Sequence, residues 1–315
     1  MKRLSILATT AAIVLSGCAT TTVAQDTQSA PANQSPAAQS PAAQSPDRIG
    51  EHPNLNGVWQ VINDANYNVE PHSASNNPLR EAERAIGVHG ATPPGLGVVE
   101  GGQIPYNEAA MERLALNKAN LVKHDPEAAC YLPGIPRATY MDHPFQIIQS
   151  DNDDILVAYE YAAANRVIHM EEVGIPPIDT WMGTSYGQWE GDTLVVTTLA
   201  QSPGSVKLPG GEMIDGVTWL DRAGNYLTNT ATVTERFTPR GANHIDYEVL
   251  IEDPTVYSEP WTMSMVLYRH VEPNAQLLEF RCVPFSELML YGDLLEEYAD
   301  EAPAGEAPAA SDATE

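Results

Sequence analysis

The chain has 315 residues, with 42 Asp and Glu against 16 Lys and Arg and a formal net charge of −26. So acidic a surface repels phosphate backbones, which excludes nucleic acid as a partner, and solubility alone accounts for it. The length allows one large domain or two small ones, with a sizeable core.

The first element is an export signal. Lys2 and Arg3 precede an apolar run from Leu4 to Leu15, followed by Ser16-Gly17-Cys18. A short basic start and an apolar run too short to span a bilayer are read as a signal peptide rather than a transmembrane helix. The small residues before Cys18 resemble the lipobox of bacterial lipoproteins. That resemblance implies a signal over residues 1–17, cleavage before Cys18, and lipid on Cys18. With Ala19 rather than Asp next, it also implies the outer membrane, facing the periplasm or the exterior. The membrane is thus an expected partner, reached through the N-terminal lipid, and more than one acyl chain holds firmly.

Residues 18–52 are expected to be a lipidated, disordered linker. The repeat "QSPAAQSPAAQSP" over residues 34–46 has nothing to bury. A single β-rich domain is expected over residues 53–298. An acidic disordered tail is expected over 299–315, since from Asp293 onward there are eight acids and no base.

Within the domain, "NLNGVWQVI" (Asn54 to Ile62) alternates around Trp59 and predicts a strand. Asn63 to Gln103, rich in Gly, Pro and Asn, predicts a long irregular connection of the kind that often carries function. Asn107 to Lys123 predicts a helix capped by Asn107, with Met111, Leu114, Ala115, Leu121 and Val122 near one face, stopped by Asp125-Pro126. From Phe145 the period becomes two. "FQIIQ", "DILVAYEYA", "NRVIHMEE", "TSYGQW", "DTLVVTTL", "TATVTERFT", "NHIDYEVLIED", "TMSMVLYRH" and "AQLLEFRCV" follow one another through short Gly, Asn, Asp and Pro turns. A second helix is expected from Ser286 to about Tyr298. About ten strands linked to their neighbours predict a mainly β fold, an antiparallel up-and-down barrel or sandwich, with one or two helices.

Gly183-Thr184-Ser185-Tyr186-Gly187 fits the G-x-S-x-G pattern of serine hydrolases. That nucleophile needs a helix directly after it, and here a turn and the strand "DTLVV" follow. The two glycines are better explained by strands that bend or pack closely. After processing, two cysteines remain, Cys130 and Cys282, and an even pair in an exported chain predicts a disulfide.

Two resemblances follow from these patterns. Gly57-Val58-Trp59 in the first strand and Arg281 in the last expected strand resemble the calycin (lipocalin-like) barrels. There a cation from the final strand lies over the entrance indole and closes the barrel base. More widely, "WMGTSYGQWEGDTLVV", "WLDRAGN" and "EDPTVYSEPWTM" resemble an uncharacterised family of exported bacterial proteins, over most of Pro105 to Arg281. The likeness implies one folded unit and carries no activity.

Candidate chemistry comes from alternation and from the loops. In "NTATVTERF", Glu235 falls on the apolar face with Ala231, Val233 and Phe237, so it must be paired or have its pKa raised. Arg166, Ile168 and Met170 share one face of their strand and His169 points away. Tyr247 lies on a core-like face, opposite His244, Asp246 and Glu248. That acidic row is too weak a pattern for a metal site, and no metal or other cofactor is expected. The loop "GIPRATYMDHP" gathers Arg137, Tyr140, Asp142 and His143 before a strand.

His143, Glu235 and Asp221 are therefore candidate acid/base groups. Arg137, Tyr140, Arg166, His169, Trp219, Tyr247 and Trp261 are candidate ligand-binding residues. Arg137 and Arg222 have the simpler option of pairing with nearby carboxylates. The expected function is an envelope lipoprotein that binds a small, partly apolar ligand in a barrel cavity. The alternatives are a periplasmic lyase, isomerase or hydrolase acting at the barrel mouth, and a structural envelope lipoprotein.

Overall fold

The computed structural model describes residues 46–75 and 92–283, apart from 152, 172, 173, 175, 176 and 208–212. The expected signal, Cys18, most of the linker, the helix from Ser286 and the acidic tail lie outside the described residues.

Nine strands form a closed barrel. They are β1 (Gly57–Val61), β2 (Phe145–Ile148), β3 (Ile155–Tyr159), β4 (Asn165–His169), β5 (Thr184–Glu190), β6 (Thr193–Leu199), β7 (Thr232–Pro239), β8 (His244–Glu252) and β9 (Trp261–Arg269). Each pairs with the next in sequence, and β9 pairs with β1. Every pair is antiparallel except β4 and β5, where Ile168 meets Ser185 in parallel register. One such pair is unavoidable, because an odd number of strands cannot alternate direction all the way round a closed ring. Parallel neighbours need a connection that returns to the starting end, and the chain between His169 and Thr184 has to make that return.

The expected up-and-down barrel is therefore present, and the alternation that predicted it holds. Phe145, Ile147, Val157, Ile168, Leu194, Val196, Val233, Phe237, Tyr247, Val249 and Met263 are buried inside it. One strand expectation is corrected. Residues 275–283 contain no strand, so β9 and not "AQLLEFRCV" is last. A short pairing precedes β1. Arg48–Ile49 pairs with His52–Pro53, and the His52 ring stacks on Trp189 at 4.6 Å.

The register puts all the long connections at one end. The described parts of the connections over residues 62–144, 200–231 and 253–260 emerge there and interlock over the mouth. Tyr106 pairs with Tyr257, Tyr226 Oη donates to the Ala110 carbonyl at 3.1 Å, and Arg222 N donates to the Asn66 carbonyl at 2.8 Å. The expected single helix is split into a 3-10 turn (Glu108–Ala110), α1 (Met111–Ala119) and α2 (Leu121–His124). Asn107 caps it as expected, accepting from Ala110 N at 2.9 Å. Asn120 leaves helical geometry (φ −135°, ψ 32°) and breaks the apolar face. The buried residues of α1 are thus Leu114 and Asn117, while Met111 and Ala115 are exposed. A third short helix, α3 (Arg137–Tyr140), is wholly buried under the cap.

The opposite end is closed by a clamp. The guanidinium of Arg269, the last residue of β9, lies over the Trp59 indole at 4.4 Å. It also donates to the carbonyls of Ala242 and Asn56. The clamp cation is therefore Arg269; Arg281, expected in that role, pairs with Glu279 on the surface. Gly57 explains its own place in the motif. Its φ is +150°, and a Cβ there would meet Arg269 Nη1 at 2.6 Å.

Cys130 and Cys282 form the expected disulfide, with Cα atoms 5.7 Å apart. It ties the segment after β9 to the cap, where Phe280 packs on His143 and Tyr161 at 4.6 and 5.1 Å. Closing a loop with a sequence separation of 152 contributes about 3–5 kcal/mol in the chain-entropy model.

Replacing Arg269 by Ala removes the cation–π contact and two charge-assisted hydrogen bonds, an expected loss of about 2–4 kcal/mol. Gly57→Ala should act in the same direction by displacing the guanidinium. Urea unfolding checks both, and wild-type midpoints would count against the clamp.

Candidate functional site

The polar groups fall into three places, each built by a different part of the fold. The first is the barrel interior. Alternation on β4 turns Arg166 inward, and alternation on β7 does the same for Glu235. Their forks meet at 2.6 and 3.0 Å, with Arg166 5% and Glu235 0% exposed. Tyr247 of β8 donates its hydroxyl to Glu235 Oε1 at 2.7 Å. Ser185 and Thr198 share a hydrogen bond at 2.8 Å, and both lie 3.4 Å from Arg166 Nη1. From the cap, α3 lowers Thr139 to within 3.5 Å of the Tyr159 hydroxyl.

Burial opposes the charge on Arg166, but Glu235 outweighs it and holds the guanidinium more firmly protonated than usual. Burial, and then the Glu235 carboxylate, push the Tyr247 hydroxyl well above its ordinary range. Chemically this is an arginine–tyrosine carboxylate receptor filled by the protein's own carboxylate. Ser185 is thus a buried strand residue, as the sequence indicated, and strands lie on both sides of it. Its neighbour Gly187 faces inward, where a Cβ would meet Ile168 Cγ2 at 2.7 Å.

The second place is the cap. Arg137 Nη1 and Nη2 hold Asp125 at 2.7 and 3.0 Å, Nη2 also reaches Glu127 at 2.7 Å, and Nε reaches Asn66 at 2.9 Å. Arg222 grips Glu127 from the other side at 2.6 and 2.8 Å, and lies over the Tyr67 ring at 4.6 Å. These are the structural carboxylate partners open to both arginines on sequence grounds. Burial raises the Glu127 pKa, but the hydrogen bonds and charges of Arg222 and Arg137 outweigh it and hold it at about 2. The folded value is depressed, so this group stabilises the fold above the ordinary carboxylate range and loses that contribution as pH falls towards about 2.

Asp221 goes the other way. Burial pushes it up to about 6, against hydrogen bonds from Asn225 and the Val69 backbone. Its folded value is raised, so its contribution is greatest below the unfolded value of 3.8 and is lost as pH rises through about 6.

The third place lies on the outside of the rim. Residues 178–183, at the end of the β4–β5 return, run beside the chain leaving β6. Thr180 N donates to the Ala200 carbonyl at 3.0 Å, and Ser202 N to the Thr180 carbonyl at 2.9 Å. Gln201, 1% exposed, then locks this pair to the cap. Its Oε1 accepts from Ile135 N at 2.7 Å and its Nε2 donates to the Ile135 carbonyl at 2.9 Å. Between them lies a hollow of about 410 Å³ lined by Leu132, Asp179, Thr180, Trp181, Met182, Ser202, Pro203 and Gly204. Trp181 packs on Tyr131 with ring centroids 5.0 Å apart. Asp179 accepts from Asn229 Nδ2 at 2.8 Å.

The structure joins Arg166, Glu235 and Tyr247, and it keeps the three acid/base candidates in separate networks. Glu235 is bound inside the barrel and Asp221 inside the cap. His143 sits on the cap's flank, 3.3 Å from Glu160. Tyr140 is buried, its hydroxyl donating to the Leu220 carbonyl at 2.7 Å. His169 lies on the outer face of β4 beside Asp154 at 2.8 Å. Trp219 and Trp261 are packed into the cap and the barrel interior, 2% and 5% exposed. Among the described residues no three His, Cys, Asp or Glu side chains are grouped to hold a metal ion.

Sequence reasoning missed the rim hollow. The available signal was the long Pro- and Gly-bearing stretch between β4 and β5, far longer than the other turns and ending in a tryptophan. No protein-family model, curated protein or solved structure matches the chain.

Replacing Glu235 by Gln leaves a buried arginine without its counter-charge, an expected loss of about 3–5 kcal/mol. Replacing Arg166 by Met in the same chain should recover part of that loss. A double-mutant cycle in urea measures the coupling, and additive losses would mean that the pair is not coupled.

Proposed function

We propose that this chain is an envelope lipoprotein that binds a small, partly apolar ligand, held in the hollow at the barrel rim. The observation that carries this reading is the hollow itself. Leu132, Trp181, Met182 and Pro203 give it an apolar body, and Asp179, Thr180 and Ser202 give it a few polar groups. Its volume of about 410 Å³ falls in the range of small-molecule sites. The barrel interior offers less, because its carboxylate receptor already holds Glu235 and the surrounding side chains are buried. The hydrogen bonds of Gln201 and Thr180 fix the walls before a ligand arrives, which lowers the ordering cost of binding.

The envelope part of the reading is supported by the Leu15-Ser16-Gly17-Cys18 pattern and the repeat-rich stretch that follows. Acyl chains on Cys18 would moor the barrel, and the linker would let it range over the membrane surface.

Screening a library of aromatic and aliphatic fragments by tryptophan fluorescence tests the binding site. Hits should lose at least tenfold in affinity in Trp181→Ala, while Tyr247→Phe leaves them unchanged. The opposite pattern would move the site into the barrel. For the anchor, palmitate labelling in a bacterial host should mark the wild-type chain and spare Cys18→Ser. Equal labelling, or none in either, would remove the lipid from the account.

A further inference from the structure

We infer that the ligand of the rim hollow is an organic cation, an amine or quaternary ammonium group carried on an apolar body. This rests on the binding reading above and adds the charge of the ligand. Three observations carry it.

The first is the charge of the lining. Asp179 is the one charged residue among those that line the hollow. Its partner is the neutral amide of Asn229 at 2.8 Å, which orients the carboxylate without neutralising it. Asp179 is exposed, and among the described residues no Lys, Arg or His pairs with it. The carboxylate at the rim is thus oriented by Asn229 and, among the described residues, has no counter-charge.

The second is the aromatic wall. Trp181, half-buried, lines the same hollow and is braced by Tyr131. An indole is the strongest cation–π partner among side chains, because its ring face is electron-rich. The indole and the Asp179 carboxylate both line the hollow, each attracts a positive group, and neither favours an anion. Leu132, Met182 and Pro203 accommodate the apolar body that such a cation carries.

The third is the field of the whole chain. A net charge of −26 draws cations towards any open cleft and discourages anions. The other polar lining groups do not reverse this. The Thr180 hydroxyl donates to the Gly183 carbonyl at 3.2 Å, and the Ser202 hydroxyl accepts from Gly204 N at 3.0 Å. Neither residue brings a cation to hold an acidic head.

The test uses three molecules with one apolar tail and three heads: 4-phenylbutylamine, 4-phenylbutanol and 4-phenylbutyrate. Affinities come from calorimetry or from tryptophan fluorescence on the full-length protein. The amine is expected to bind at least tenfold more tightly than the alcohol, and the butyrate more weakly than either. Asp179→Asn should bring the amine down to the affinity of the alcohol and leave the alcohol unchanged. Added salt should weaken the amine in the unmodified protein and spare the alcohol, a readout that does not depend on any variant folding. An alcohol that binds as well as the amine in the wild-type protein would overturn the cation inference and leave the binding reading intact. Failure of all three to bind would overturn both.

Discussion

The number of strands governs this structure. Nine strands joined in sequence order cannot close into a ring without placing one neighbouring pair in the same direction. The ring meets that constraint between β4 and β5, whose connection therefore has to come back to the starting end. Elsewhere the chain turns within a few residues or enters the cap. The described end of that return, residues 178–183, lies at the rim against the chain leaving β6. The hollow at Trp181 is the gap left where that return, the exit of β6 and the cap segment around Ile135 meet. Its position is a consequence of closure.

Closure also determines what the interior can do. A small barrel is filled by its own side chains, and here the filling includes a full ion pair. Arg166 and Glu235 would be costly to bury apart, and together with Tyr247 they satisfy most of each other's hydrogen-bonding capacity. Ser185 and Thr198 bond to each other and to Arg166, which leaves neither hydroxyl as a free polar floor for a ligand. One end is shut by the Trp59–Arg269 clamp and the other by the cap, whose α3 turn faces both ways. Arg137 ties the cap together, and Thr139 two residues later reaches down to Tyr159. The clamp, the ion pair and the cap network therefore belong to stability, and the hollow at the rim is built from groups that these networks do not use.

Much of the barrel was legible in the sequence because alternation and turn chemistry are local. Glu190-Gly191 and the Pro239–Ala242 segment fall at real hairpin turns, and the period of two put Glu235 on the apolar face and Arg166 on the face of Ile168 opposite His169, as the barrel has them. The strand after the G-x-S-x-G pattern settled Ser185 for the same reason. The pairings that depend on position in space were not legible. Gly57 and Trp59 announced a clamp, but Arg281 and Arg269 both lay near the expected end of the barrel. Only the register of β9 against β1 selects Arg269. Asn120 reads as helix in a sequence window and breaks the helix in the fold. Strand counting by pattern made "AQLLEFRCV" a tenth strand. An even ring needs no parallel pair, so the crossover and the hollow it builds were hidden by that single extra strand.

The central claim is that a ligand sits on the rim and the barrel interior stays closed to it. Anomalous scattering from a crystal soaked with 4-(4-bromophenyl)butylamine tests this most directly. The account predicts a bromine peak beside Trp181, between Leu132 and Met182, with the ammonium group towards Asp179. A peak inside the barrel, among Tyr159, Arg166 and Tyr247, would contradict it.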